Sequence, residues 1–243
     1  MCHTPRVALL RGVVDVLFPP ACQVCQVRGD FPLCAGCRAN FPLIRPPVCQ
    51  KCGRPLRGPP ELIFTCIPCR HRRTHFACAR AAGVYDGPLR EAIHVLKFGG
   101  RQALAEPLGR LIAEVVATDP RMRVDLVVPV PLHPARLRER GFNQAELLAA
   151  EVAGYLNIPL RPTALRRVRA TPAQTGLGRE DRRANVRGAF GSREPLEASS
   201  VLLVDDVMST GSTGMECARA LRQGGARQVR VATVAMAVLD YQV

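Results

Sequence analysis

Two adjacent carboxylates, Asp205 and Asp206, stand just ahead of a turn of hydroxyls and glycine, Ser209-Thr210-Gly211-Ser212-Thr213. Hydroxyls and unpaired backbone N–H groups at the start of a helix make an anion site, because the helix dipole is positive there. Acids beside such a cradle must serve something other than the anion. Vicinal sugar hydroxyls fit, since a carboxylate accepts from two O–H donors and can also help hold a cation. A second chemistry lies near the N-terminus, in Cys22-x-x-Cys25, Cys34-x-x-Cys37, Cys49-x-x-Cys52 and Cys66-x-x-Cys69. Each pair offers two thiolates to one ion, and two pairs close a tetrahedral site, so eight cysteines predict two structural Zn²⁺. Sequential pairing (Cys22/Cys25 with Cys34/Cys37, Cys49/Cys52 with Cys66/Cys69) needs the shortest loops. An interleaved arrangement, first pair with third, also fits the spacing. Gly53 frees the backbone to wrap the metal. With four thiolates at each ion, His71 and His75 read as solvated or capping, and Cys2, Cys78 and Cys217 as ordinary small side chains.

The carboxylates sit at the end of Val201–Val204, an apolar run that reads as a strand buried on both faces. A helical pattern follows the turn (Met215, Ala218, Leu221). In open α/β sheets, ligands bind outside the carboxyl ends of strands, which is where this site falls. Upstream, 81–85 reads as a strand, 88–98 and 103–116 as helices, 125–130 as a second buried strand, and 143–156 as a helix. Short strands are expected near Leu160 and over 188–191, with a closing strand at 228–237. This alternation predicts an α/β fold, a largely parallel sheet with helices on both faces. The segment 131–142 reads as a loop level with the acids, where Arg136, Arg138 and Arg140 can clamp a diphosphate and His133 caps the turn. The polar stretch 166–188, with Gly176 and Gly178 and many arginines, reads as a lid. The spacing of Val7, Leu10, Val14 and Leu17 predicts a short amphipathic helix stopped by Pro19-Pro20. Two modules follow: 1–80, cysteine-rich, and 81–243.

The formal charge is +14, carried by 32 Arg and two Lys, Lys51 and Lys97. Residues 1–80 hold +9 of it and the remainder +5. Eight thiolates with two Zn²⁺ would lower the N-terminal share to +5, so the bare count overstates how basic that module is. A basic chain favours anionic partners, phosphorylated small molecules or nucleic acid. Aromatic residues make up 5% and Trp is absent; most of the Phe and Tyr look buried, which argues against base stacking on single strands. No run approaches the ~18–20 apolar residues of a membrane span, and no secretory signal is evident. The expected location is the cytoplasm, and no membrane partner is expected.

The strand, acids and turn together resemble the 5-phosphoribosyl-1-pyrophosphate (PRPP) signature of the type I phosphoribosyltransferases. That resemblance implies ribose hydroxyls on Asp205 and Asp206 and the 5′-phosphate on Ser209, Thr210, Gly211, Ser212 and Thr213. Ser209 stands where many purine-specific members carry an Asp that handles the base; a serine cannot do so at neutral pH, which disfavours a 6-oxopurine acceptor. Further motifs are similar to the ComF family: Leu96-Lys97-Phe98-Gly99, Pro129-Val-Pro131-Leu, Arg140-Gly-Phe-Asn-Gln144, and a run with Gln174, Arg179, Arg183, Asn185-Val186 and Gly188-Ala-Phe190. That family joins a cysteine-rich zinc module to a phosphoribosyltransferase-like domain and is associated with competence for DNA uptake. The resemblance implies Lys97, Arg136, Arg140, Gln144, Arg179 and Arg183 as pyrophosphate or lid residues, and Mg²⁺ as a companion of PRPP.

Three functions fit these residues. One is phosphoribosyl transfer, with Mg²⁺ and arginines stabilising departing pyrophosphate while a nitrogen nucleophile attacks the anomeric carbon. The second is an accessory protein that binds single-stranded DNA or a competence helicase through its basic surface and zinc module. The third is a regulatory role for an inactive fold, against which the intact acids and turn speak. A base-covering hood is expected from 86–100 or from the zinc module.

Overall fold

The computed structural model describes residues 19–58, 65–71, 73–169 and 184–238. The expected helix over 7–18 lies outside them, as does most of the expected lid with Gln174, Gly176, Gly178, Arg179, Arg182 and Arg183. The central feature is a four-stranded sheet in the order β1 (Cys78–Val84), β6 (Gln228–Met236), β5 (Ser200–Met208), β2 (Leu126–Pro129), every pairing parallel. Val201 to Val204 of β5 are buried, as a strand covered on both faces requires. Leu160 adds an isolated parallel bridge to Val127.

Successive side chains on a strand point to opposite faces, so the sheet divides two cores. On one face Leu202, Val204 and Val234 pack with α3 (Gly87–Phe98), α4 (Ala105–Thr118) and α6 (Gln144–Leu156) through Leu89, Ile93, Leu108, Ile112, Leu148 and Val152. On the other face Val201, Leu203 and Val231 meet Ala218 and Leu221 of α7 (Ser212–Gln223). A two-stranded antiparallel ribbon, β3 (Leu165–Arg167) with β4 (Phe190–Ser192), lies on this second side. The stretch expected as a lid from 166 therefore opens inside a strand. The 131–142 segment also departs from a plain loop, because Pro134–Arg140 forms a helix, α5. Its signals are local: the His133 ring accepts from Ala135 N–H at 3.2 Å, Pro134 sits in the first turn, and Gly141 ends it at φ 81°.

The cysteine-rich segment contributes two short helices, α1 (Ala35–Ala39) and α2 (Ile67–Arg70). It is also bound to the edge of the sheet. β1 has β6 on one side only, and unpaired strand edges need cover. Ile44 N–H donates to Ala82 O at 2.9 Å, Val84 N–H to Pro42 O at 2.8 Å, and Ala79 N–H to Lys51 O at 2.8 Å. Arg80, 5% exposed, ties the modules further: its Nε donates to Asp119 at 2.7 Å and its Nη1 to the carbonyls of Gln50 at 3.3 Å and Cys49 at 3.5 Å. Gly53 comes so close that a Cβ there would stand 2.6 Å from Ala79 O, and its φ of +73° is unfavourable for other residues. Gly53→Ala should therefore cost about 2 kcal/mol or more and loosen this junction. Thermal melting combined with hydrogen exchange at the Ala79 amide checks this, with the loss of protection concentrated there.

Candidate ligand site and cysteine clusters

Asp205 and Asp206 lie near the carboxyl end of β5, still paired with β6, so they face opposite sides of the sheet. Asp205 shares a cleft of about 380 Å³ with Ser209, Gly211, Ser212 and Thr213 of the expected phosphate turn. Gly211 is left-handed at φ +73° and caps α7, so the turn delivers the helix N-terminus to the cleft. Thr210 and Ser212 hydroxyls lie 2.7 Å apart, and Thr210 Oγ1 accepts from Ser212 N–H at 3.3 Å. Asp205 Oδ1 accepts from Asp206 N–H at 2.9 Å. Burial, together with the neighbouring Asp206 charge, pushes the Asp205 carboxyl up to about 7.

Asp206, 4% exposed, points to the other face. Its Oδ1 pairs with Lys97 Nζ at 2.9 Å, and its Oδ2 accepts from Gln144 Nε2 at 2.7 Å. Burial opposes charge on Lys97, but attraction to Asp206 prevails and its pKa lies above the ordinary lysine value. Arg140 Nη1 donates to Gln144 Oε1. Lys97 at the end of α3, Gln144 at the start of α6 and Arg140 at the end of α5 thus meet around one carboxylate.

Of the three arginines expected on the 131–142 segment, Arg136 and Arg140 are partly buried and Arg138 is exposed. Burial lowers the pKa of both Arg140 and Arg167, and the like charge of Arg136 adds to the effect at each. Arg136, Arg140 and Arg167 therefore form a positive group beside the acids. Arg167 belongs to the stretch expected as a lid; antiparallel pairing of β3 with β4 fixes its place, its guanidinium 5.5 Å from the Phe190 ring centre. Arg179 and Arg183 lie outside the described residues. Among the described aromatics Phe41, Phe76 and Phe190 are buried and Tyr85 and Phe142 partly so, while Phe31, Phe98 and Tyr155 are 57%, 66% and 49% exposed. Phe98 carries Arg140 over its ring at 5.1 Å and His94 against it at 5.0 Å.

The thiols resolve the pairing. Ligand atoms of Cys22, Cys25, Cys34 and Cys37 lie within 4.8 Å of one another, and so do those of Cys49, Cys52, Cys66 and Cys69. Sequential pairing holds and the interleaved alternative fails. Four sulfurs at this spacing fit a tetrahedral Zn²⁺. In the second cluster the Cys52 thiol stabilises the Cys49 thiolate, lowering Cys49 to about 4, whereas burial pushes Cys69 up to about 12. A group that resists holding four negative charges unaided is the donor set a dication satisfies.

Residues 13–70 match a double zinc ribbon domain, and residues 143–240 match a phosphoribosyl transferase domain. The parallel sheet with its helices is the α/β phosphoribosyltransferase-type fold, preceded by a double zinc ribbon. The DNA utilization protein YhgH of Escherichia coli K12 is 33% identical over 216 residues, which cover 82% of this chain and 94% of that protein. Competence protein F of Haemophilus influenzae is 32% identical over 206 residues, covering 82% and 88%. A glutamine PRPP amidotransferase structure from B. subtilis aligns with a TM-score of 0.37 and 21% identity, over 53% of this chain and 26% of that one. The chain belongs to the ComF family of competence proteins, which includes ComFC and YhgH. No helix among the described residues is long and apolar enough to cross a membrane.

The raised Asp205 carries a pH consequence. Its ordinary value is 3.8 and its folded value about 7, so well below pH 3.8 it is neutral in both states and costs nothing. As pH rises towards 7 the unfolded chain ionises while the folded one resists, and stability is lost. Asp205→Asn removes that loss. Its melting temperature should exceed that of the parent by a few degrees at about pH 8, with a smaller gap at about pH 6. Calorimetric scans at both values check this; a gap independent of pH contradicts it.

Proposed function

We propose that this protein binds PRPP, or a ligand built on ribose 5-phosphate, and transfers the phosphoribosyl group to a nitrogen nucleophile in the setting of DNA uptake. The observation that carries this reading is the single cleft joining Asp205 to the turn 209–213, with Arg136, Arg140 and Arg167 close by. The turn and helix N-terminus take the 5′-phosphate. Asp205 and Asp206 read the ribose hydroxyls, Asp206 held in place by Lys97 and Gln144. Asp205 is destabilised when charged, and such strain is common where a carboxylate awaits a ligand. The diphosphate arrives with its own Mg²⁺ and is clamped by the arginines, whose mutual repulsion an anion relieves. The adjacent guanidiniums stabilise the charge that develops on departing pyrophosphate while a nitrogen nucleophile attacks the anomeric carbon. The two-module division, 1–80 and 81–243, goes with this reading, as does a reducing cytoplasmic setting that keeps the eight thiols available to zinc.

Calorimetric titration tests the arginine clamp. PRPP with Mg²⁺ should bind the parent protein, and Arg136→Ala should weaken it roughly tenfold to a hundredfold, the cost of a lost charged hydrogen bond. Ribose 5-phosphate, which lacks the diphosphate, should bind the variant and the parent alike. Equal losses for both ligands would remove Arg136 from the clamp.

The exposed Phe98 beneath Arg140 supports a second reading, an accessory role on single-stranded DNA, with or without a helicase partner. Stacking of a base on that ring is worth about 1–3 kcal/mol. Phe98→Ala should then weaken binding of a short oligonucleotide at least fivefold while leaving its salt dependence unchanged, because no phosphate contact is lost.

A further inference from the structure

The two cysteine clusters occupy different sides of the sheet edge. The first packs through Val24 and Leu33 against the core that holds α3 and α4, and α1 lies beside α3. The second borders the opposite face. There a pocket of about 590 Å³ has Cys52, Cys66 and Cys69 on one side and Ser209, Thr210 and Gly211 on the other. Met208 and Met215 line it as well, so pliable apolar side chains form part of the interval between cluster and turn. Met208 is the last residue of β5 and Met215 lies in the first turn of α7, one on each flank of the phosphate turn. The outer flank of that turn therefore faces the second cluster directly. The knuckle carrying Cys49 and Cys52 is itself fixed to β1 through Gly53, Lys51 and Arg80. It forms a firm wall only while its four thiols are held together.

From this arrangement we infer that the second zinc ribbon is a structural wall of the phosphate site, so that Zn²⁺ in the Cys49/Cys52/Cys66/Cys69 cluster and phosphate in the 209–213 turn strengthen each other's binding. The first cluster, on the other face, does not share in this. The inference rests on the phosphate reading of the turn and adds zinc-dependent regulation to it. Binding linkage is reciprocal: if bound metal orders the wall and the wall orders the turn, an anion in the turn must slow loss of that metal by the same coupling. Met208 and Met215, which touch the turn and line the pocket shared with the cluster, are where the coupling would pass.

The test uses the full chain loaded with zinc, challenged with a coloured chelator in the presence of inorganic phosphate or ribose 5-phosphate, ionic strength being matched with chloride. Cysteines exposed by metal loss are trapped with iodoacetamide and located by peptide mass spectrometry, so that the two clusters are followed separately. We expect either probe to slow alkylation of Cys49, Cys52, Cys66 and Cys69 about fivefold or more, and to leave Cys22, Cys25, Cys34 and Cys37 unchanged. Met215→Ala should reduce the protection of the second cluster without altering the first. Equal slowing of both clusters would mean general stabilisation and overturn the inference. So would binding of the probes, measured by calorimetry, with no slowing at all, and so would full protection in Met215→Ala. If neither probe binds, the phosphate reading of the turn fails, and the coupling fails with it.

Discussion

β5 is covered on both faces, and the two-residue period of a strand then dictates what its last residues can do. Two consecutive acids on such a strand cannot share one environment. Asp205 falls on the α7 face with the glycine turn, while Asp206 falls on the α3 and α6 face and is taken by Lys97 and Gln144. Burial makes the first costly to ionise; the second pairs with Lys97 and Gln144 where three helix ends meet. One carboxylate stands at the cleft with the turn, and the other is oriented by the elements that meet around it. Had both acids stood in a flexible loop, neither distinction would follow. The ion pair with Lys97 is a weak argument for stability, since desolvation offsets much of the attraction, but breaking it would leave a buried charge. Its value lies in fixing where α3 ends relative to the acids.

The same two-sidedness reaches the zinc ribbons. A parallel sheet this small ends in an exposed strand unless something covers it, and β1 is covered by the cysteine-rich segment. Among the described residues, the two sulfur clusters gather few apolar neighbours of their own, Val24, Leu33 and Leu56. Metal binding then supplies much of its folding free energy. The edge strand gains a cap whose order depends on an ion rather than on a large apolar core. This gives a physical reason for the two modules to be joined. Separated from the ribbons, β1 would present free N–H and C=O groups; separated from β1, the ribbons would lose the backbone partners at Ala79, Ala82 and Val84.

Much of this was legible in the residues. The apolar run Val201–Val204, the acids and the turn gave the strand, the turn at its end and the helix that follows, because all are local in sequence. The zinc clusters were legible as eight ligands, but their pairing was not; loop length favoured the sequential arrangement without deciding it. Lys97, Gln144 and Arg140 were named from short motifs, yet their meeting at Asp206 is a tertiary fact, since α3, α5, α6 and β5 must pack before those side chains come together. α5 was missed although its signals were present, with Pro134 in the first turn and Gly141 after the last; a seven-residue helix with no buried residue offers no apolar period to detect. Phe98 closes the amphipathic α3 two residues beyond the buried Leu96, off the face that carries Leu89, Ile93 and Leu96, which is why it is exposed.

The account stands on Asp205 as the reader of a sugar beside a phosphate turn, and a contrast of two ligands on one variant tests it most directly. Affinities of ribose 5-phosphate and inorganic phosphate should be measured by calorimetry for the parent and for Asp205→Asn. Replacing an anionic double acceptor by an amide costs about 1.5–3 kcal/mol, so ribose 5-phosphate should weaken roughly tenfold to over a hundredfold. Inorganic phosphate should bind equally or slightly better, a nearby negative charge having been removed. An unchanged affinity for ribose 5-phosphate in the folded variant, or an equal loss for both ligands, would contradict the reading of this site as one for a phosphorylated ribose.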